Sequence, residues 1–385
     1  MANVRAVELF CGIGGFRIAC DSLGIQTVWA NDLNELSCEV YRNAFGDEEV
    51  VQGDIRALHD RIPEHDLLTA GFPCQPFSSA GKKLGTRDPR GTLFEEIVEI
   101  LDSHSPKWFV LENVKRLLTM ENGDHFATIL KALSELDYAI EWKLLNAASF
   151  GLPQNRQRVV ITGSLIKDFR DVPVSLLSDL ELFSLVRDEY EPLKDSSSWR
   201  FIEHHNRRFP EWGLCYKGRF FIPKTAFPGT ESIDCSLTGI LQRDPPEDFY
   251  MDESTKDRLR TSVFINKLVD GVRILYNQKG GARMGYTVFG TDGIAPALTA
   301  SHSRHYERYK IGSRYRRLTN VEYARLQGFP DDHCAVTTVF NQYGLYGNAV
   351  PPPMVKWVIK RMTQTPVKLI SELEPVPNSQ MRLEL

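Results

Sequence analysis

From its start to Leu165 the chain alternates short β-rich runs with helical patterns, and this alternation constrains the fold more tightly than any other feature. Strand-like runs at Val4–Phe10, Gln26–Asn31, Leu67–Ala70 and Trp108–Leu111 are separated or followed by helical patterns at Phe16–Leu23, Leu33–Phe45, Leu93–Ser103 and His125–Leu136. Such an order is the signature of βαβ units, and so of a parallel sheet with helices on both faces. Two further runs, Ile140–Asn146 and Arg158–Gly163, flank Gly151-Leu152-Pro153-Gln154-Asn155 and read as a strand, a loop and a returning strand at the sheet edge.

Beyond that point the character changes. From about Asp171 to Ser313 the periodicity is irregular, with aromatic, Pro and Gly residues scattered through Trp199, Trp212, Phe220-Phe221, Pro245-Pro246 and Gly280-Gly281, as expected of a smaller, loop-rich domain. Helix signals return at Thr319-Asn320-Val321-Glu322, a capping box whose Thr hydroxyl and Glu carboxylate satisfy each other's backbone N–H groups. Another helix is expected from Pro351, where a proline's missing N–H is harmless, to about Met362. The tail from Thr365 is expected to fray.

With 42% hydrophobic and 25% charged residues, the composition excludes wholesale disorder and collagen-like sequence. No run approaches the roughly 20 apolar residues of a membrane helix. The apolar stretch near the N-terminus is broken by Glu8, too early for a secretory signal, so a cytoplasmic protein is expected. Seven cysteines, an odd number without one Cys-x-x-Cys, read as reduced thiols rather than a disulfide or zinc framework. His302 and His305 lack a third ligand, and no metal is expected. The net charge of -4 gives no global attraction to nucleic acid. Locally, however, the stretch from Arg273 to Arg325 holds ten Lys or Arg against three acids.

Four segments carry chemistry. Phe10-Cys11-Gly12-Ile13-Gly14-Gly15 lies between a strand and a helix, where glycines let a ligand approach the backbone. Asp32, at the end of the next strand, suits ribose hydroxyls, and Asp54 an adenine amino group. Together they point to an adenosine-containing cofactor, either a dinucleotide or S-adenosylmethionine. Gly71-Phe72-Pro73-Cys74-Gln75-Pro76-Phe77-Ser78 holds a cysteine in a rigid turn after a strand, a position suited to a nucleophile. The segment after it combines Gly81, Gly85 and Gly91 with Lys82, Lys83, Arg87 and Arg90, and resembles a lid over an anionic substrate. Glu112 ends an apolar strand, where desolvation raises a carboxyl pKa toward values useful for proton donation. Arg156 and Arg158 alternate on a strand-like segment, fitting either a salt-bridged edge or an anion- or carbonyl-binding role.

Taken in this order, the set resembles the DNA (cytosine-5)-methyltransferase family. The resemblance rests on Phe10–Gly15, Gly71–Ser78, Asp88-Pro89-Arg90-Gly91-Thr92-Leu93-Phe94, Glu112-Asn113-Val114 and Gln154-x-Arg156-x-Arg158. It continues through Arg316-x-Leu318-Thr319-x-x-Glu322, Ala324–Pro330 and Tyr343-x-x-x-Gly347-Asn348-Ala349-Val350-Pro351. Ser236–Tyr250 and Ala295–Ala300 look like framework of the same family, with Ala297 where a Thr is usual.

The resemblance implies an α/β fold: a Rossmann-like S-adenosylmethionine-dependent methyltransferase domain with a smaller, irregular target-recognition domain. The division expected is a catalytic domain over residues 1–170, target recognition over 171–335, and a C-terminal segment, 336–385, returning to the catalytic domain. It further implies that Cys74 adds to carbon 6 of a flipped-out cytosine, making carbon 5 nucleophilic, while Glu112 holds the ring at N3 and its amine and supplies a proton. Arg158 would contact the cytosine O2, with Arg156 supporting that pocket. The S-adenosylmethionine pocket would comprise Phe10, Gly12, Ile13, Gly14, Gly15, Asp32, Asp54, Ile55, Pro73, Leu93, Asn348 and Ala349. Ser78, Lys82, Lys83, Arg87 and Arg90 would meet double-stranded DNA. A monomeric restriction-modification enzyme at the bacterial nucleoid is expected, with epigenetic regulation as the second option; the sequence leaves open whether a cognate endonuclease exists, and none is expected to contact it. A nicotinamide oxidoreductase would leave the Pro-Cys turn unexplained. An RNA cytosine methyltransferase would share the catalytic residues, and a non-catalytic DNA-binding relative would have no need of Cys74, Glu112 and Arg158.

Overall fold

Five β-rich runs pair in parallel as the crossovers demand. In the computed structural model, which describes residues 4–73, 93–167, 196–222, 235–253, 256–257, 262–277, 287–299 and 307–364, they are β1 (Arg5–Leu9), β2 (Gln26–Asp32), β3 (Val50–Gln52), β4 (Leu67–Gly71) and β5 (Trp108–Val114). Their order is β3-β2-β1-β4-β5. The chain moves outward from β1 to β3, then crosses to the other side of β1 at β4. That reversal leaves a crevice beyond the carboxyl ends of β1 and β4, where open α/β sheets hold ligands. The helices α1 (Gly15–Asp21), α2 (Glu35–Phe45), α3 (Leu93–His104) and α4 (Asp124–Ser134) cover the faces. Asn34 caps α2, its side chain accepting from the Ser37 N–H at 2.9 Å.

Two strands continue the sheet, of which only β8 is reversed. β6 (Tyr138–Asn146) and β8 (Gln157–Leu165) flank the short β7 (Gln154–Asn155), and β8 inserts between β5 and β6, antiparallel to both. The sequence places this pair at the sheet edge, but the sheet goes on. β9 (Arg200–Phe201), β10 (Trp212–Tyr216) and β11 (Arg219–Phe221) extend it to ten strands, β10 pairing with the outer side of β6. Residues assigned from sequence to the small domain therefore complete the large one. The physical reason is the apolar face around β6: Trp142 and Phe126 are buried and require the cover that Phe209 and Phe220 provide. Trp212 adds an indole N–H donated to the buried Glu141 at 2.7 Å.

The small domain is likewise more regular than expected. β12 (Val263–Val269), β13 (Val272–Asn277), β14 (Val288–Phe289), β16 (Arg308–Ile311) and β17 (Arg314–Arg316) form a five-stranded sheet. The β12–β13 hairpin turns on Asp270-Gly271, both at positive φ (48° and 78°), as a two-residue type I′ turn requires. Its core, including Leu237, Phe289, Leu298 and Tyr309, is shared with α5 (Asn320–Gln327) and α6 (Val339–Asn348). The chain meets the large domain again at His333, which donates to the Ile13 carbonyl at 2.7 Å, and at α6, whose Tyr343 and Tyr346 share a core with Ile13 and Val40; α7 (Pro352–Thr363) then packs its Met354, Val355, Val358 and Ile359 with Phe16, Leu67 and Val110. Between the domains, β15 (Ala295–Pro296) pairs in parallel with β7.

A buried ion pair locks the base of the small domain. Both Glu322 oxygens face Arg316, at 2.6 and 2.7 Å, and also accept N–H groups of Gln242 and Thr319, each at 2.8 Å. Thr319 completes the capping box at the start of α5. The six described cysteines are free thiols, and no described helix is long and apolar enough to cross a membrane.

Removing one charge of this pair leaves the other buried and uncompensated. Glu322→Gln is expected to lower stability to urea by about 3–5 kcal/mol; a loss below about 1 kcal/mol, as for an exposed pair, would show that the carboxylate does not hold the domain.

Candidate active site

The carboxyl ends of β4 and β5 lie side by side, with Gly71 in register with Glu112. Gly71 begins the segment that leads to Cys74, and Pro73 is the last described residue before it. Asn113 anchors that departure: its side-chain amide donates to the Phe72 carbonyl at 3.0 Å. Cys74 itself lies outside the described residues, as do Ser78, Lys82, Lys83, Arg87 and Arg90.

β8 brings the arginines to this edge. Arg158, opposite Val114, places its Nε 2.8 Å from a Glu112 oxygen. The approach is that of an ion pair rather than an aligned hydrogen bond, since the same oxygen has no partner of hydrogen-bond geometry. Burial pushes the Glu112 pKa up, while Arg158 and then Arg156 pull it back. The carboxyl is thereby inclined to hold a proton yet remains beside a cation, the balance needed by a group that both binds and donates. Arg156 turns elsewhere. Its two terminal nitrogens donate to the carbonyls of Leu298, Gly347 and Ala349 at 3.2, 3.0 and 2.8 Å.

A pocket opens beside this edge, between the loop after β1 and the loop after α6. Of the residues expected around a cofactor, Phe10, Gly12, Ile13, Gly15, Asn348 and Ala349 line it. Gly12, at φ 52°, has open space where a side chain would begin, and Gly15 lies so close to Val350 that a Cβ would meet its carbonyl oxygen at 2.2 Å. Gly14 instead gives room to the Phe45 ring. Asp32 braces the loop, accepting the Gly12 and Asn34 N–H groups, both at 2.8 Å. Asp54 caps a short turn and is clamped by Arg56 at 2.6 Å, and Ile55 is buried in the sheet core. Pro73 and Leu93 are not among the lining residues.

Sequence reasoning missed Glu8, Ser37, Leu345 and Val350, which also line the pocket. Glu8 carried a signal, a carboxylate amid an apolar strand. Glu8 is 2% exposed and accepts a hydrogen bond from the Tyr41 hydroxyl at 3.2 Å. Burial raises its pKa to about 8, against the opposing pull of Tyr41 and Arg17.

The model of C-5 cytosine-specific DNA methylases matches residues 4–364. The chain belongs to that family. It is 46% identical over 355 residues to the Type II methyltransferase M.NgoBI of Neisseria gonorrhoeae, covering 91% of this chain and 90% of that protein. It is 32% identical over 376 residues to M1.ScrFI of Lactococcus lactis subsp. cremoris (94% and 79%), and 28% identical over 363 residues to M.HhaI of Haemophilus parahaemolyticus (93% and 94%). Among solved structures, Spodoptera frugiperda DNMT2 shares the fold with a TM-score of 0.60 at 20% identity, over 94% of this chain and all of that one. The molecule is thus a DNA cytosine-5 methyltransferase with a Rossmann-like domain, and enzymes of this family take their methyl group from S-adenosylmethionine.

The pocket fits that donor. Open space above Gly12 admits a ligand against the backbone, and the buried Glu8 carboxyl suits a cation, of which S-adenosylmethionine carries both an ammonium and a sulfonium.

Glu8 also gives the free methyltransferase a pH signature. Its folded-state pKa lies above the ordinary 4.5, so its contribution to stability is complete below pH 4.5 and lost as pH rises toward about 8. Glu8→Gln is expected to flatten that decline by a few kcal/mol, at about 1.4 kcal/mol per pKa unit. Urea unfolding of both proteins across this range checks it; parallel curves would show that Glu8 ionises freely.

Proposed function

We propose that this methyltransferase modifies a specific cytosine in double-stranded DNA as the protecting half of a restriction-modification system. Its relatives M.NgoBI and M1.ScrFI carry the Type II name, which supports that role. Cys74 is the nucleophile: its thiolate adds to carbon 6 of the cytosine, and the ring electrons move so that carbon 5 becomes an enamine carbon. Glu112 hydrogen-bonds N3 and the exocyclic amine and gives N3 the proton that neutralises the adduct. Arg158 steadies the cytosine O2 while keeping Glu112 in place. When bound, S-adenosylmethionine supplies the methyl group to carbon 5. A base then removes the carbon-5 proton, the C6–S bond breaks, and aromaticity returns with the thiolate released.

The observation carrying this assignment is the pairing of Arg158 with the buried Glu112 at 2.8 Å, in register with the residue that begins the Cys74 segment. A stacked cytosine cannot reach so enclosed a carboxylate, which supports extrusion of the base from the duplex, at a cost of about a few kcal/mol. Phe10, Gly12, Ile13, Gly14, Gly15, Asp32, Asp54, Ile55, Pro73, Leu93, Asn348 and Ala349 are assigned to the cofactor, with Leu33 offering an apolar face beside Asp32. Ser78, Lys82, Lys83, Arg87 and Arg90 are assigned to the DNA backbone. The small domain reads the sequence, the enzyme acts as a monomer at the nucleoid, and the endonuclease partner works without touching it.

Transfer of labelled methyl to mixed-sequence duplex DNA, followed by bisulfite sequencing, tests this reading. Wild type should label carbon 5 of cytosine at one recurring site. Cys74→Ala should abolish turnover, and Glu112→Gln should slow it by about 10²–10⁴-fold. Labelling of tRNA but not DNA would transfer the assignment to RNA; full activity of Cys74→Ala would remove the covalent step.

A further inference from the structure

Within five positions, residues 154–158 send three side chains to three parts of the molecule. Arg158 goes to Glu112. Gln154 accepts the Leu298 N–H at 3.0 Å and donates to the Leu326 carbonyl at 3.1 Å. Arg156 takes the Leu298 carbonyl with one terminal nitrogen and those of Gly347 and Ala349 with the other. Leu298 follows β15, the strand that joins the small domain to β7, and of residues 347–349 Asn348 and Ala349 line the rim of the pocket. One guanidinium therefore spans the joint of the small domain and the rim of the cofactor site.

Stability alone explains this arrangement poorly. Arg156 is 1% exposed, its hydrogen-bond partners are neutral carbonyls, and its Nε–H has none. Burial brings its pKa down to about 9, with Arg158 adding to the fall and Glu112 opposing it. Apolar residues of similar volume often replace such buried charges without loss of stability. What they could not do is respond to both attachments at once: if the Leu298 segment shifts, the guanidinium must release it or pull on the rim.

We infer that Arg156 is a positioning residue that couples cofactor binding to DNA binding, transmitting the seating of the small domain to the end of α6, residues 347–349. This rests on the functional reading above, in which the small domain meets DNA and Asn348 and Ala349 contact S-adenosylmethionine. The bistable element is the joint itself, engaged when both segments are seated and loosened when either departs. Linkage then requires each ligand to tighten the other by the same factor.

The test uses the full chain and a duplex carrying the site mapped by bisulfite sequencing. Methyl transfer by wild type is measured first, so failure of the functional reading is seen separately. S-adenosylhomocysteine, which cannot react, then probes the pocket with and without DNA. Wild type should bind it about fivefold or more tightly with DNA, within the usual range of coupling energies. In Arg156→Lys, whose ammonium keeps the charge but cannot fork between the segments, the ratio should fall below about twofold. The KM for S-adenosylmethionine on DNA should rise by more than kcat falls. A merely structural role would weaken binding equally in both conditions and keep the ratio, and that outcome, or a wild-type ratio of one, overturns the inference. Should Arg156→Lys not fold, hydrogen exchange of residues 345–350 in wild type decides: DNA should slow it in the absence of cofactor, and unchanged exchange overturns the coupling.

Discussion

Antiparallel insertion of β8 beside the last parallel strand is the contact on which the site depends. Parallel strands alone would place Gly71 and Glu112 together at the carboxyl edge and leave the carboxylate buried without a cation. Because β8 runs the other way, its beginning rather than its end reaches that edge, and Arg158 arrives opposite Val114, within 2.8 Å of Glu112. A register slip of β8 by one residue would turn Arg158 to the other face of the sheet.

The same short stretch also carries the joint between the domains. β7 pairs with β15, Gln154 and Arg156 bind the Leu298 peptide on both its sides, and Gln327 donates toward the Tyr346 carbonyl beneath the pocket rim. Glu112, the end of α6 and the small domain are thus held by residues within one five-residue segment, 154–158. Buried polar joints of this kind leave few other arrangements open, since each unmade bond leaves a group desolvated without a partner. Glu8 is the counterpart on the cofactor side, a carboxyl in an apolar strand that a cationic ligand would compensate.

Much of the scaffold is legible in the residue pattern. The strand and helix patterns through Ser134 match the observed elements to within a few residues, because apolar periodicity is a local property. The capping box at Thr319 and the helix entered at Pro351 are visible for the same reason. The small domain reads as irregular and is not, although Val269-Asp270-Gly271-Val272 is a strong two-residue hairpin signal and Lys217-Gly218 marks a second one in the large sheet. In both, short strands with little alternation hide what the turn chemistry announces.

The sequence by itself determined which residue types are available: glycines where backbone must approach a ligand, a cysteine in a rigid turn, a carboxylate at the end of an apolar strand, and the order of βαβ units. It could not decide that residues 200–221 finish the large sheet, that α6 shares a core with Ile13 and Val40 as well as with the small domain, or that Arg156 and Arg158, two positions apart, serve different partners. Those outcomes depend on which distant surfaces are left uncovered once the local elements have formed. Burial and pairing between segments up to 193 residues apart decide them, and no periodicity along the chain encodes that separation.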